Sequence, residues 1–504
     1  MGFVTKYKSE ILFSLGIVAL FLLLRLPTLT QLPIFTDEAI YLRWAQIALQ
    51  DAGWRFISLT DGKQPLFIWA VIVSMKFLKD PLVAGRIVSS GAGLLTMLGL
   101  FFLGREVFKN RWVGIVSAAL YCIFPFALVY DRMALYDSLV GTFAVWGLYM
   151  TFLLFRRPTL DKALLMGFVT GAAALNKTNG FFTIYLLPFA AILFDFKDKL
   201  WQKKFIRLVG LSLLVVVMTY GFYSILRLSP FFYIIKQKNA IFFYPLGEWI
   251  HHPFMSVLSN FSAFADWFMR YVGLPLSLTA LAGLIIDKKF WREKVLLLLW
   301  FLLPFIGFAF IGKTVYPRYI FPMTLTLLPL TAYTIVKLQE KISRSKWILV
   351  VILVLGYSVL TDFLIIYNFA GSPVPNADKG QYLTAWPAGV GVKEATDYFR
   401  MQAASRPVYI ATEGTFGLLP YAFELYLVNN PNVTIKGFWP IKSQPPQELL
   451  DAAKKQDTYI VFYQDCPVCS GVGVAPSTWP LQKIMQLKRI EAGSYFTLYK
   501  VIAP

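Results

Sequence analysis

Long apolar runs recur along most of the chain, and they predict helices that cross a membrane. A transmembrane helix needs roughly 20 mostly apolar residues. Eight runs come close to that length, at about 9–29, 83–104, 112–130, 137–155, 206–227, 295–312, 318–336 and 347–369. Three weaker runs lie near 163–176, 181–196 and 271–286. Residues 1–370 are therefore predicted to form a polytopic α-helical domain with about eleven transmembrane helices.

One apolar run does not fit this series. Residues 66–79 span only 14 positions, and Lys76 and Lys79 interrupt their end. Counting them as a span would reverse the predicted orientation of every later span and would place the basic loops outside the cell. A helix that lies in the membrane interface explains both the length and the charge. We therefore predict a first external loop, about residues 30–82, that carries its own juxtamembrane helices.

The distribution of lysine and arginine sets the predicted orientation. The chain is 57% hydrophobic and 15% charged, with a net charge of +20, whereas a soluble protein would hold about 25% charged residues. The basic residues gather in alternate short loops, as expected of cytoplasmic loops. The positive charge is thus a topology signal and does not indicate nucleic acid as a partner. We predict a multi-pass protein of the cell membrane with a cytoplasmic N-terminus.

The composition changes after residue 370. A turn-rich stretch at 371–376 is followed by sequence without a run long enough to span a membrane. Segments typical of strands alternate there with helical ones, which predicts a small α/β domain over residues 371–504. We expect strands at 407–411, 433–435, 458–463 and 495–501, and helices at 416–428 and 446–455. An odd number of preceding spans places this domain on the external side.

Two cysteines, Cys466 and Cys469, are spaced as Cys-Pro-Val-Cys in this predicted external domain. Disulfides are feasible outside the cytoplasm, and a thioredoxin-like redox pair is one interpretation of the spacing. Such a motif normally begins a helix, whereas a glycine-rich stretch at 471–473 follows here. We favour a local structural disulfide. A metal site would need more ligands than this neighbourhood supplies.

Charged residues of both signs recur where the predicted spans reach the external face. Ionisable groups at a membrane are costly to dehydrate and are functional candidates by default. Carboxylates can deprotonate or orient an acceptor hydroxyl, and basic side chains at headgroup depth can neutralise a lipid phosphate. The combination indicates group transfer from a lipid-phosphate carrier. The candidates are Asp37, Glu38, Lys63, Arg132, Asp137, Lys177, His251, His252, Lys313, Tyr316 and Arg318.

Each candidate also has an ordinary structural interpretation. Asp37 and Glu38 can simply begin a helix, where carboxylates favour the positive end of the dipole. Lys313 and Arg318 can be interfacial side chains whose charged ends reach water, and Lys177 can mark the end of a helix. The two histidines precede a proline in the long loop 228–270 and can be a loop feature. So few histidines disfavour a histidine-based hydrolase or a zinc protease.

In order and topology these motifs resemble the GT-C superfamily of polyprenyl-phosphate-sugar-dependent glycosyltransferases. The resemblance covers roughly residues 10–370 and is closest to bacterial protein O-mannosyltransferase-like enzymes and lipid A aminoarabinose transferases. It rests on Asp37-Glu38, Lys63-Gln64-Pro65-Leu66, Arg86, Gly104-Arg105-Glu106-Val107-Phe108, Arg132 with Asp137, Leu175-Asn176-Lys177-Thr178-Asn179-Gly180 and Pro317-Arg318-Tyr319-Ile320-Phe321-Pro322. Gly62 is a departure, because aminoarabinose transferases typically carry an acid before this lysine. The departure puts a metal site built on that acid in doubt.

The resemblance implies an inverting integral-membrane glycosyltransferase whose donor is a hexose or pentose on a polyprenyl phosphate. Asp37 would be the general base for the acceptor hydroxyl, Asp137 would orient acceptor or base, and Glu38 would support the loop. The other implied contacts are Lys63, Arg318, Lys177 and Lys313 to the phosphate, and more weakly Arg132, Tyr316, His251 and His252 to sugar or acceptor. The acceptor would be a lipid, glycan or protein, and the carrier a dolichyl or an undecaprenyl phosphate. No cofactor is required for this chemistry, although a divalent metal is compatible with it.

Two other classes of protein would share some of these features. A transporter or flippase of a lipid-linked sugar also needs many spans and external basic residues. Transporters usually show internal repeats and helices broken at mid-membrane, whereas no repeat is evident here and the charges gather at one face. A non-catalytic assembly factor would use the α/β domain to bind a partner. Transfer of a labelled sugar separates the transferase from both alternatives.

Overall fold

The protein is described by a computed structural model over residues 8–465, 474–490 and 493–503. The chain divides into two compact units. The membrane unit comprises Met1–Thr28, Arg55–Ala70 and Arg86–Pro375, and the α/β unit comprises Leu29–Trp54, Val71–Gly85 and Asn376–Pro504. The α/β unit thus includes two segments of the predicted first external loop. Cys466 and Cys469, the predicted disulfide, lie outside the described residues.

Helices make up most of the membrane unit. The hydrocarbon core offers no water to backbone groups, so a segment that pairs its own N–H and C=O groups is the stable form there. Two helices, Leu66–Met75 and Pro81–Phe108, have residues in both units. The others are Lys8–Arg25, Arg111–Cys122, Pro125–Tyr130, Asp137–Arg156, Leu160–Asn176, Phe182–Leu186, Trp201–Ser224, Ile234–Phe242, Leu246–His251, Val257–Val272, Leu274–Ile285, Trp291–Ile311, Phe321–Thr324, Leu327–Lys341 and Arg344–Tyr367.

Fewer helices than predicted are long enough to span a membrane. Within the described residues six qualify by length and composition, or seven if Val257–Val272 and Leu274–Ile285, which meet at 96°, count as one span. The predicted count of about eleven is therefore not confirmed. The predicted span 112–130 is two helices that break at Ile123, and 181–196 is a short α-helix followed by a 3-10 helix. The six are Pro81–Phe108, Asp137–Arg156, Trp201–Leu228, Trp291–Ile311, Phe321–Lys341 and Arg344–Tyr367.

Two predicted loops contain helices. The helix expected within 66–79 is Leu66–Met75; at 1.5 Å per residue it is about 15 Å long, about half the thickness of the hydrocarbon core. The predicted loop 228–270 holds Ile234–Phe242 and Leu246–His251, and its last part, from residue 257 on, belongs to the helix Val257–Val272.

A buried ion pair stabilises the break at Ile123. Arg25 and Asp131 are both fully buried, and the Arg25 Nε donates to Asp131 Oδ2 at 2.9 Å. Arg25 Nη1 also donates to the carbonyl of Cys122 at 3.0 Å, one of the last carbonyls of a helix, which lack a partner within the helix. Tyr121 and Ser138 donate to the same Asp131 carboxylate. One arginine thus satisfies both a buried carboxylate and a broken helix end.

The α/β unit contains a mixed five-stranded sheet in the order β2-β1-β3-β5-β4. Strand β1 pairs in parallel with β2 and β3, and β5 is antiparallel to β3 and β4. The strands are β1 Val408–Glu413, β2 Val433–Phe438, β3 Asp457–Asp465, β4 Leu481–Lys488 and β5 Tyr495–Val501. The helices are Thr36–Gln50, Asn376–Lys379, Val392–Ala403, Leu418–Leu427 and Gln447–Lys455.

The small predicted sheet is confirmed, with two additions. The four predicted strands and the helices near 416–428 and 446–455 are all present. Strand β4 and the helix Val392–Ala403 were missed. Strand β4 lies at the sheet edge and is mostly exposed, so its sequence lacks the apolar run by which a buried strand is identified.

We expect loss of the Arg25 side chain to destabilise the membrane unit strongly. In Arg25→Met the buried Asp131 carboxylate loses its partner, and breaking such a pair typically costs about 3–5 kcal/mol. The double variant Arg25→Met/Asp131→Asn should recover most of that loss, because no buried charge then stands alone. Thermal unfolding of the purified protein in detergent measures both effects.

A matched control is the half-exposed pair Arg270–Asp266, 2.7 Å apart. Arg270→Gln should change stability by no more than about 1 kcal/mol. Equal unfolding temperatures for Arg25→Met and Arg270→Gln would contradict the role given to the buried pair.

Candidate functional site

Basic side chains and aromatic rings form a row in the membrane unit. The Lys63 ammonium lies 5.4 Å from the centre of the Phe242 ring, and the Phe242 and Tyr316 rings are 6.4 Å apart. The Arg318 guanidinium lies 4.9 Å from the Tyr316 ring. Lys63 and Arg318, distant in sequence, therefore flank one pair of rings. We call Lys63, Phe242, Tyr316, Arg318, Tyr319 and Lys177 the basic–aromatic row.

Lys177 contacts this row through Tyr319 and forms an ion pair with a carboxylate. Its ammonium lies 5.6 Å from the Tyr319 ring, whose centre is 5.8 Å from that of Tyr316. The same ammonium donates to Asp137 Oδ1 at 2.7 Å. Asp137 is buried at the start of its helix. The ion pair with Lys177 fixes the position of the Asp137 carboxylate. A carboxylate held in this way is suited to the predicted role of Asp137, which is to orient an acceptor or a base.

The Leu-x-Lys-x-x-Gly motif has a physical explanation in this turn. The helix Leu160–Asn176 ends before Lys177, which is extended, and a 3-10 turn begins at Thr178. The Gly180 N–H donates to the Lys177 carbonyl at 2.8 Å. A Cβ atom on Gly180 would lie 2.2 Å from the Ala173 carbonyl oxygen, much closer than real contacts allow. Glycine at this position lets the turn fold tightly against its helix and present Lys177.

Lys63 is presented by a similarly constrained glycine. Gly62 ends the 3-10 helix Ile57–Asp61 with φ +66°, the left-handed region that favours glycine. A Cβ atom here would lie 2.6 Å from Lys238 Cβ and 2.9 Å from the Ile234 carbonyl oxygen. An acid at position 62, as in the resembling transferases, would not fit this backbone.

Hydrogen bonds connect the segments that carry the two lysines. Gln64 Nε2 donates to Thr178 Oγ1 at 2.8 Å, which links the residues next to Lys63 and Lys177. The Tyr136 hydroxyl donates to the Gln64 carbonyl at 2.8 Å, beside the helix that begins at Asp137. The positions of Lys63, Lys177 and Asp137 are therefore mechanically coupled.

Three other predicted residues lie further along the same loops. Lys313 Nζ donates to Glu248 at 2.6 Å and lies 5.0 Å from the Tyr244 ring. Its backbone N–H donates to the carbonyl of Phe242 at 2.8 Å, so it adjoins the basic–aromatic row. His251 and His252 are exposed at the end of the helix Leu246–His251.

Arg132, predicted as a weak sugar or acceptor contact, is buried in the framework. Its Nη2 donates to the Thr28 carbonyl at 2.7 Å, and its residue exposure is 3%. The preceding residue, Asp131, is the partner of Arg25. Arg132 therefore fixes the chain just before the segment that leads to Asp37.

The two predicted acids at 37 and 38 belong to the α/β unit and differ in their surroundings. Glu38 is fully buried, and its Oε2 accepts the Phe35 N–H at 2.9 Å, which caps the start of its own helix. Asp37 is partly exposed. The helix Thr36–Gln50 is held by Thr36 donating to the Pro387 carbonyl and by Arg43 pairing with Glu424 at 2.7 Å. Glu38 thus supports the helix that carries Asp37.

Sequence reasoning missed several residues around the predicted ones. Phe242 and Tyr319 place the basic groups, and Lys238 forms an ion pair with Asp61 at 2.6 Å next to Gly62. The spacing of Tyr316 and Tyr319 was a usable signal, since both flank Arg318. The position of Phe242 was not readable, because it lies in a loop that the hydrophobic pattern treats as featureless.

A protein-family profile matches part of the chain. The family is described as Dolichyl-phosphate-mannose-protein mannosyltransferase, and the match covers residues 62–223. This range includes Lys63, Asp137 and Lys177.

Curated relatives are similar over a longer stretch. The undecaprenyl phosphate-alpha-4-amino-4-deoxy-L-arabinose arabinosyl transferase 1 of Pseudomonas fluorescens (strain Pf0-1) is 26% identical over 327 residues, 60% of this chain and 53% of the relative. The corresponding transferase of Pseudomonas aeruginosa (strain UCBPP-PA14) is 24% identical over 319 residues, 60% of this chain and 55% of the relative. The chain thus spans about half the length of the curated relatives it matches.

Solved structures share the fold over nearly the whole chain. ArnT from Cupriavidus metallidurans in the apo state aligns with a TM-score of 0.60 at 13% identity, covering 99% of both chains. The same protein bound to undecaprenyl phosphate aligns with a TM-score of 0.58 at 14% identity, covering 98% of both chains. Together with the family profile and the curated relatives, these matches confirm the resemblance to GT-C glycosyltransferases that the motifs indicated.

The environment of Gly62 yields a testable expectation. Gly62→Ala should destabilise the protein, because alanine is disfavoured at φ +66° and its Cβ would overlap the Lys238 side chain. A left-handed non-glycine residue costs about 1–2 kcal/mol before that overlap is counted. The unfolding temperature in detergent is the measurement.

The control is Gly247→Ala. A Cβ atom there would meet nothing within 4 Å, so this variant should behave like the wild type. A Gly62→Ala protein as stable as Gly247→Ala would show that the left-handed turn is not required.

Proposed function

We propose that this protein is a membrane glycosyltransferase that moves a sugar from a polyprenyl-phosphate carrier to an acceptor. The observation that carries the proposal is the basic–aromatic row, in which three cations lie against aromatic rings at the ends of membrane helices. A phosphate ester at a membrane interface requires a preorganised positive site of this kind. ArnT with undecaprenyl phosphate bound, whose fold this chain shares, supports the choice of carrier.

The proposed chemistry is an inverting displacement. Asp37 takes the proton of the acceptor hydroxyl, whose oxygen attacks the anomeric carbon of the donor sugar. The bond from that carbon to the phosphate oxygen breaks, and the polyprenyl phosphate leaves with its electron pair. Lys63 and Arg318 stabilise the leaving phosphate, with Lys177 as a further contact. Asp137 orients a reacting group, and Glu38 keeps the Asp37 helix in place.

The remaining features of the proposal follow the sequence analysis. The N-terminus is cytoplasmic, and the reaction occurs on the extracytoplasmic face. No cofactor is required. The curated relatives are named for 4-amino-4-deoxy-L-arabinose on undecaprenyl phosphate, which makes that donor the first to assay, with lipid, glycan and protein acceptors tested in turn.

Removing the Lys63 charge should impair transfer far more than folding. Loss of one preorganised partner of a developing charge typically costs about 10²–10³-fold in rate. Lys63→Ala should therefore lose activity by that amount in a detergent assay of labelled sugar transfer, and Lys63→Arg should lose less. The control is Lys236→Ala, an exposed lysine of the helix that carries Phe242.

The same assay separates the proposal from its alternative. A transporter of lipid-linked sugar would form no labelled product in detergent with any acceptor. Near-normal transfer by Lys63→Ala would be compatible with a glycosyltransferase but would contradict the proposed phosphate site.

We expect Asp37 and Glu38 to differ sharply when each loses its charge. Asp37→Asn keeps the side-chain size but removes the proton acceptor, so transfer should be abolished while polyprenyl-phosphate binding persists. Glu38→Gln keeps an oxygen that can accept the Phe35 N–H, so measurable turnover should remain. Transfer rate and donor binding are measured on the same preparations. Near-normal transfer by Asp37→Asn would reject its role and make Asp137 the leading candidate for the base.

A further inference from the structure

A second polar cavity lies at the other end of the helices that carry the candidate site. It has a volume of about 730 Å³, and its lining includes Arg105, Glu106, Lys109, Arg111, Trp112 and Tyr149. The helix Asp137–Arg156 rises about 28 Å between its first and last residues. That distance matches the hydrocarbon thickness of roughly 30 Å. The cavity is therefore at headgroup depth in the leaflet opposite to Asp137.

Most of the basic side chains at the cavity are already paired with carboxylates. Arg156 donates to Glu106 at 2.7 Å and Lys109 at 2.5 Å, and Arg111 pairs with Glu10 at 2.9 Å. Arg156 also pairs with Glu293 at 2.7 Å. Arg105 is exposed and has no hydrogen-bond or ion-pair partner in the part of the chain that the structure describes. Its charge is available to an anion from outside the protein.

The backbone holds these charges together at a conformational cost. The helices Pro81–Phe108 and Arg111–Cys122 are joined by only two residues, Lys109 and Asn110. Lys109 has φ 51°, in the left-handed region where a non-glycine residue is uncommon. Strain of this kind is found more often at ligand-binding sites than elsewhere. The tight turn brings Arg105 and Arg111 to the same cavity.

Aromatic side chains and exposed apolar groups identify the kind of ligand. Trp112 and Tyr149 line the cavity, and such side chains favour the headgroup region of a bilayer. On the same helix as Arg105, Leu95 and Leu98 are 49% and 44% exposed, as expected for a face that contacts acyl chains. A ligand with a phosphate and a hydrocarbon tail matches both surfaces.

We propose that this cavity binds the phosphate of an anionic phospholipid in the leaflet opposite to the candidate active site. Arg105 contacts the phosphate, Lys109, Trp112 and Tyr149 border it, and the acyl chains lie along the exposed leucines. Basic pockets beside transmembrane helices are established binding places for anionic headgroups. This site is separate from the proposed carrier phosphate site and does not depend on it.

The test compares the wild type with Arg105→Gln/Lys109→Gln in nanodiscs of phosphatidylcholine alone or with phosphatidylglycerol. Phosphatidylglycerol should raise the unfolding temperature of the wild type by several degrees and leave that of the double variant nearly unchanged. Native mass spectrometry should show at least one fewer retained anionic lipid on the double variant. Arg105→Lys, which keeps the charge, should retain most of the effect. Arg105→Gln alone keeps the test available if the double variant fails to fold.

The matched control is Lys199→Gln/Lys203→Gln, which removes two exposed lysines, one just before and one within the first turn of the helix Trp201–Ser224. It should respond to phosphatidylglycerol like the wild type. Equal stabilisation of the wild type and Arg105→Gln/Lys109→Gln would overturn the proposal. Reproduction of the full shift by inorganic phosphate in phosphatidylcholine nanodiscs would assign the cavity to free phosphate and overturn the lipid assignment.

Discussion

Ionisable groups are costly to dehydrate in a membrane, and ion pairs within the protein stabilise several of them in the membrane unit. At one end of the helix Asp137–Arg156, Asp137 pairs with Lys177; at the other end, Arg156 bridges Glu106 and Glu293. Arg25 pairs with Asp131 near the first of these ends, where it also satisfies a helix carbonyl. These ion pairs therefore lie at two levels separated by about one hydrocarbon thickness. Other helix–helix contacts of the unit use hydroxyl groups, such as those of Thr170 and Thr219.

The sequence predicted what depends on local pattern and failed where tertiary contacts decide. Apolar runs located the helices, and the Lys177 and Gly180 motif pointed to a real turn whose glycine is sterically required. The predicted number of spans is not confirmed, because hydrophobicity does not show where Pro125 starts a new helix or where two helices meet at a steep angle. Phe242 and Lys238 could not be predicted for another reason: their partners, Lys63 and Asp61, are far away in sequence.

Gly62 illustrates how one backbone contact can redirect site chemistry. The resembling transferases carry an acid at this position, and a metal is a natural partner for such an acid. In this chain the helix Ile234–Phe242 packs so closely on residue 62 that a Cβ atom would overlap Lys238. Lys238 pairs instead with Asp61, one residue earlier. The Asp61 carboxylate beside this glycine is thus balanced by a lysine.

Contacts within the α/β unit hold the helix that carries Asp37. The helix Thr36–Gln50 is anchored on Pro387, Glu424 and Leu425. An isolated helix of this length is marginal in water, so its position depends on those anchors. The buried Glu38 cap fixes its first turn. A catalytic carboxylate must be held to within a fraction of an ångström, so under the proposed function these anchors are what keeps the proposed base in place.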